Sequence, residues 1–147
     1  MSTEEPKVVV RRFVEAINDR DEAALAVLAT GELAARAGRW VRPFDAAFPD
    51  FRMEVAELVA EGETVVAHLR CSGTHEGEWL GVPATARRFE DVDEVYVFRL
   101  GEGRIVEAFG VEDNLERIRQ LGLIVTTGGD APLTSSGEDE GVVSSAG

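Results

Sequence analysis

The chain has 147 residues and a formal net charge of −13, from 28 acidic and 15 basic residues. Nucleic acids and anionic membranes bind through positive charge, so this balance argues against both as partners. The single cysteine, Cys71, excludes an internal disulfide and a cysteine-based zinc site, and His68 and His75 have no metal-binding spacing. We expect neither a metal nor a cofactor. Without a signal segment or a long apolar run, a single-domain cytoplasmic protein is expected.

The first part of the chain predicts three helices. Apolar residues recur at helical spacing from Val9 to Ile17, and Asp21 is a suitable cap for a short second helix that Gly31 ends. A third helix is predicted over 32–48, because it carries an apolar stripe at intervals of three and four. The stripe consists of Leu33, Ala37, Trp40, Phe44 and Phe48.

From Asp50 onward the hydrophobic period changes to two, which predicts β-strands. Strands are predicted at about 51–59, 64–72, 88–100 and 104–112, with tight turns at 61–63 and 101–103, and a short closing helix follows over 114–121. On the second strand, Val66, His68 and Arg70 share one face. On the fourth, Phe109 and Val111 share a face with Asp113.

A glycine-rich crossing segment, 73–88, separates the second and third strands. Its glycines, at 73, 77 and 81, are too frequent for a helix interior, and Pro83 stops any ladder of strand hydrogen bonds. The segment therefore exposes His75 and Trp79 to whatever it covers.

Helices followed by antiparallel strands indicate an α+β fold, with helices packed on one face of a curved sheet. Such a cone has an apolar interior, and its mouth is a natural small-molecule site. Residues 125–147 are rich in Gly, Ser and Thr, with four acids and neither bases nor aromatic residues. This composition predicts a disordered tail.

Four segments resemble the SnoaL-like polyketide cyclase family of the NTF2-like superfamily. They are VVVRRFVEAINDRDEAALAVL at 8–28, FPD at 48–50, GTHEGEWLGVPAT at 73–85, and the ending from Phe98 through GRIVE at 103–107 to Asp113. The resemblance implies an NTF2-like cone over 7–124, between a tail at 1–6 and the tail at 125–147. It also implies a cavity between helices and sheet, and a homodimer through the outer sheet face.

The resemblance further implies that Asp113 is the catalytic acid/base of the cyclases. On the predicted face with Phe109 and Val111 it would point into an apolar cavity, where burial raises a carboxyl pKa toward neutrality. Such a carboxyl can remove and return a proton next to a carbonyl, as an intramolecular aldol cyclisation requires. The alternative is that Asp113 caps the closing helix.

Other side chains have two interpretations each. His75 would donate to a substrate oxygen or orient Asp113, or else it pins the crossing segment. His68 and Arg70 would bind substrate carbonyls if their face is concave, and would meet solvent or a second subunit if it is convex. The aromatic residues expected either to line a cavity for a flat polycyclic ligand or to pack as core are Trp40, Phe44, Phe48, Trp79, Phe89 and Phe109.

The sequence therefore predicts a cofactor-independent cyclase or isomerase acting on a small hydrophobic substrate that is polyketide-like or bears an ester. One alternative is a non-catalytic small-molecule-binding protein with the same cavity. Ala108 and Phe109 favour it, because the family often has His-Trp there. The other is a hydrolase of the epoxide type, with Asp113, Arg70 and Tyr96 around one water.

Overall fold

Three helices precede a run of strands, in the order that the sequence predicts. A computed structural model describes residues 4–125, 133–135 and 142–143. The helices are α1 (Glu4–Asn18), α2 (Glu22–Leu28), α3 (Gly31–Ala47) and α4 (Asn114–Gln120). The strands are β1 (Arg52–Glu61), β2 (Thr64–Thr74), β3 (Arg88–Gly101), β4 (Arg104–Glu112), β5 (Leu123–Val125), β6 (Leu133–Ser135) and β7 (Val142–Val143).

The helices present their apolar faces to the sheet. On α1, Phe13, Val14 and Ile17 of the predicted stripe are buried, whereas Val9 is half-buried and its neighbour Val10 is the buried residue. The Asp21 carboxylate accepts the amide N–H of Ala24, which caps α2 as predicted.

The main sheet is antiparallel, with the strand order β1-β2-β3-β4. Irregularities in register occur between Val55 and Glu57, Cys71 and Gly73, and Arg99 and Leu100. Such bulges bend strands and increase their twist. One face of the sheet packs against the helices, so the predicted α+β cone is confirmed.

On β4 the face that points inward is the one opposite to the predicted face. Phe109 is 70% exposed and Val111 is 59% exposed, so both lie on the outer, convex side of the sheet. Since strand side chains alternate, Ala108, Gly110 and Glu112 occupy the inner, concave side. The expectation that Asp113 follows Phe109 and Val111 into a cavity is therefore wrong, because that face is the outer one.

The predicted disordered tail, 125–147, lies largely outside the described residues. Its described parts are the end of β5 and the short strands β6 and β7, which pair antiparallel with one another in a separate small sheet. Within the described ranges, no helix is long and apolar enough to cross a membrane.

Candidate functional site

A cavity of about 220 Å³ lies between the helices and the concave face of the sheet. Its walls are mainly apolar and include Phe13 and Ile17 of α1, Leu33 and Val41 of α3, Leu69 of β2 and Phe98 of β3. Tyr96 and Arg36 are the polar side chains in the described part of this wall. The cavity could therefore hold an apolar ligand that meets polar groups at two positions.

Tyr96 connects the cavity wall to two carboxylates. Its hydroxyl oxygen lies 2.9 Å from Glu94 Oε1 and 3.1 Å from Glu112 Oε1. Glu94 is paired with Glu112, and Tyr96 with Gly110, in the register of β3 and β4. A Cβ atom at Gly110 would lie 2.2 Å from the Tyr96 ring, so the ring occupies the space that this glycine leaves.

Arg117, on α4, places a cation beside these carboxylates. Its buried guanidinium donates from Nη2 to Glu94 Oε2 at 2.6 Å, and Nη1 lies 4.0 Å from Glu112 Oε2. Nη1 also donates to the Asn114 side-chain oxygen. The guanidinium carbon lies 5.1 Å and 4.7 Å from the ring centroids of Phe44 and Phe89. These contacts fix one positive charge next to Glu94.

Burial and charge set the protonation of this group. Glu94 is 1% exposed, and burial together with the neighbouring Glu112 carboxylate raises its pKa to about 7, against the attraction of Arg117. Burial and the two carboxylates also raise the pKa of Tyr96, which therefore stays protonated and donates. Glu94, beside Glu112, can thus take up or release a proton near neutral pH.

The sequence pattern did not predict that Glu94, Glu112 and Arg117 belong to this site. A signal for Glu94 was present, because it shares a strand face with the buried residues Val92, Phe98 and Leu100. A carboxylate on an otherwise apolar strand face is seldom left buried without a partner. Arg117 gave no such signal, because an arginine near the end of a helix is ordinarily exposed.

Asp113 lies at the surface as the N-cap of α4. Its carboxylate accepts the amide N–H of Glu116 at 3.1 Å, which is the capping alternative. The catalytic role that the resemblance implies for Asp113 stays a prediction, but this geometry does not place its carboxylate in the apolar cavity.

His75, which belongs to the crossing segment, is completely buried. Its Nδ1 lies 3.0 Å from Thr85 Oγ1, and its backbone N–H donates to the Arg87 carbonyl oxygen at 2.8 Å. Burial lowers the pKa of the imidazole, which favours the neutral ring. These contacts match the alternative in which His75 pins the crossing segment, and its catalytic role stays a prediction.

Four of the other predicted ligand-binding residues lie apart from this cavity. Phe44, Phe48, Trp79 and Phe89 pack on one another, with ring centroids 4.7 to 6.2 Å apart in the contacting pairs. Their packing matches the core interpretation. Trp40 belongs to α3, but its side chain is outside the described part of the structure.

His68, Arg70 and Phe109 lie on the convex side of the sheet. His68 Nε2 is 2.7 Å from Asp93 Oδ1, and Arg70 is exposed. The prediction that they contact a ligand in the cavity therefore fails on geometry, because the pleat directs them to the opposite face.

Comparison with known proteins adds family relationships to this geometry. Residues 7–121 match the family described as SnoaL-like polyketide cyclase. Over 70 residues, 48% of this chain and 48% of the relative, the chain is 36% identical to aklanonic acid methyl ester cyclase DnrD of Streptomyces peucetius. Over 84 residues, 56% of this chain and 60% of the relative, it is 34% identical to nogalonic acid methyl ester cyclase of Streptomyces nogalater. The matches thus span about half of one curated relative and 60% of the other.

A solved structure is similar over most of the chain. AclR of Streptomyces galilaeus, a candidate hydroxylase, superposes with a TM-score of 0.73 and 25% sequence identity, covering 82% of this chain and 83% of that one. Because a fold can carry several chemistries, this likeness supports the fold more strongly than any one reaction.

Proposed function

This chain belongs to the SnoaL-like polyketide cyclase family, and from that membership we propose that it closes a ring in a small, polyketide-like ester by an intramolecular aldol reaction. The two curated relatives are both named as methyl ester cyclases, which supports an ester-bearing substrate. The apolar cavity suits the hydrophobic body of such a molecule.

One observation carries the proposed chemistry: the buried Glu94 carboxyl, beside Glu112, is held near neutral pKa behind a tyrosine of the cavity wall. A general base is most effective when its pKa lies near the working pH. In this proposal the Glu94–Glu112 pair is the acid/base, Arg117 positions its carboxylates, and the Tyr96 hydroxyl relays the proton between the pair and the cavity.

The proposed reaction needs proton transfer alone. Among the groups of this cluster, the Tyr96 hydroxyl lines the cavity, so the proton passes through it: as the hydroxyl gives its own proton to the carboxylate, its oxygen takes a proton from a substrate carbon next to a carbonyl. The resulting enolate carbon attacks a ketone carbon of the same molecule, a carbon–carbon bond forms, and the ketone oxygen becomes an alkoxide. That alkoxide takes a proton from the Tyr96 hydroxyl, which regains one from the carboxyl group. The site ends in its starting protonation state, so no cofactor enters the proposal.

Turnover of nogalonic and aklanonic acid methyl esters tests this assignment. We expect Glu94→Gln and Glu112→Gln to lower kcat by roughly 10²- to 10⁴-fold, because each removes a carboxylate from the pair. Tyr96→Phe should lower kcat by a similar factor, since it removes the hydroxyl that links the cavity to the carboxylates.

Asp113→Asn is the matched control, because asparagine caps a helix as well as aspartate does but carries no carboxylate. It should retain activity within a few fold. If Asp113→Asn is inactive while both glutamine variants are active, Asp113 is the acid/base instead. Ligand binding without turnover in the wild type would identify a binding protein and refute the proposed reaction.

A further inference from the structure

Arg36 provides a second polar position in the cavity wall, away from the carboxylates. Arg36 is exposed, and it borders both the 220 Å³ cavity and a neighbouring groove of about 490 Å³ whose lining includes Val97 and Phe109 of the convex face. Among the described side chains that line the cavity, Arg36 is the charged one. The remaining wall near it is apolar and includes Leu33, Phe98 and Ala108.

The Arg36 guanidinium has no partner among the residues that the structure describes. Arg42 and Arg88 each form an ion pair with an acidic side chain, whereas Arg36 forms neither a hydrogen bond nor an ion pair with any side chain in the described ranges. The acid in the same groove, Glu107, lies 3.4 Å from Arg99 Nε. Glu32, one helical turn earlier on α3, is not paired with Arg36 either. The N–H donors of Arg36 are therefore available to a ligand.

Arg36 and the carboxylate pair lie at different positions along the strands β3 and β4. Arg36 meets the sheet at Phe98 and Ala108, which are paired in the register of β3 and β4. Glu112 lies four residues beyond Ala108, which corresponds to roughly 13 Å along a strand. A flat ligand in the cavity would thus meet a cation at one end and, towards the other, the Tyr96 hydroxyl that contacts the carboxylate pair.

We propose that Arg36 binds an oxygen anion on an aromatic ring, a carboxylate or an ionised phenol, at the end of the ligand remote from the reacting carbon. A guanidinium offers a planar fork of donors that matches a carboxylate with two parallel hydrogen bonds. The chain carries a net charge of −13, which opposes the binding of an anion, so an anionic ligand needs a local cation such as Arg36 in the cavity wall. Which end of the ligand reacts rests on the proposed function, whereas anion binding by Arg36 does not.

Binding of two small probes tests this inference without any turnover. The probes are 2-naphthoate and its neutral amide, 2-naphthamide, titrated by calorimetry into the wild type, Arg36→Gln and Arg39→Gln. Arg39 is the matched control, because it is exposed on the same helix and lies outside both cavities. We expect the wild type and Arg39→Gln to bind naphthoate about tenfold more tightly than naphthamide, and Arg36→Gln to bind both equally. Added salt should weaken naphthoate binding alone.

Equal preference for naphthoate in the wild type and Arg36→Gln would overturn the inference. So would equal weakening of both probes in Arg36→Gln, or no measurable binding of either probe to the wild type. The outcome is separable from the proposed reaction. A preference that is lost in Arg36→Gln supports the anion site even if no ester is cyclised, and turnover with an unchanged preference refutes the anion site alone.

Discussion

Glu94 is the residue whose ionisation links the stability of the fold to pH. Its pKa is raised from 4.5 to about 7 by burial and by Glu112. Below pH 4.5 the carboxyl is protonated in both the folded and the unfolded state. Between pH 4.5 and 7 the unfolded chain ionises first, so this residue's contribution to the free energy of unfolding falls as pH rises, and it levels off above 7.

We expect the wild type to lose up to about 3 kcal/mol of unfolding free energy relative to Glu94→Gln between pH 4.5 and 7. Urea unfolding of both proteins across this range measures the difference. Parallel stability curves for the two proteins would show that Glu94 does not titrate in this way.

The same ionisation should appear in catalysis if the proposed reaction holds. Since the base must be deprotonated, kcat/KM should rise with pH, reach half of its maximum near pH 7, the pKa of Glu94, and level off above it. Initial rates in a series of buffers test this, with Asp113→Asn expected to give the same profile. A rate that is flat from below pH 6 to above pH 8 would contradict a base in this pair.

At the scale of single elements, β4 positions the site through its inner face. Gly110 leaves the space that the Tyr96 ring occupies, since a Cβ atom there would lie 2.2 Å from that ring. Gly110→Ala should therefore displace Tyr96 from Glu94 and Glu112, with a loss of about 1–3 kcal/mol in unfolding free energy.

Thermal and urea unfolding measure this loss, and the cyclisation assay should show lower activity. Gly38→Ala on α3 is the control, because its Cβ would meet nothing within 4 Å. Alanine in place of glycine in a helix should stabilise the protein by up to about 1 kcal/mol. A stable, active Gly110→Ala protein would show that Tyr96 can move without consequence.

The helices and strands could be predicted from the sequence because their hydrophobic periods are strong. The inner face of β4 could not, because Phe109 and Val111 are more apolar than Ala108, Gly110 and Glu112, and yet they point outward. If the more apolar face is taken as the buried one, every side chain of β4 is assigned to the wrong face of the sheet. The polar site was missed for a related reason, because its carboxylates and Arg117 are brought together only when β3, β4 and α4 pack.

At the scale of the whole molecule, the convex face of the sheet presents exposed apolar side chains. Val66, Phe109 and Val111 are exposed there, and contiguous apolar surface of this kind often marks an interaction site. This arrangement supports the homodimer that the family resemblance implies, with the convex faces of two copies in contact.

We expect the wild type to sediment as a dimer and Phe109→Glu to sediment as a monomer, because the variant buries an unpaired charge at the contact. Analytical ultracentrifugation measures both. Val27→Glu serves as the control, since Val27 is 71% exposed on α2, away from the sheet. A wild-type monomer, or a dimer that survives Phe109→Glu, would rule out this face.

Arg117 has a consequence for heat resistance. One guanidinium joins the closing helix α4 to the aromatic rings of α3 and β3 and to the Glu94 carboxylate. If α4 detaches on warming, Glu94 loses its cation while the long helices and the sheet can remain assembled. Such a protein would lose its activity at a temperature below that at which it unfolds. The upper limit of its working temperature would then be set by the seven residues of α4.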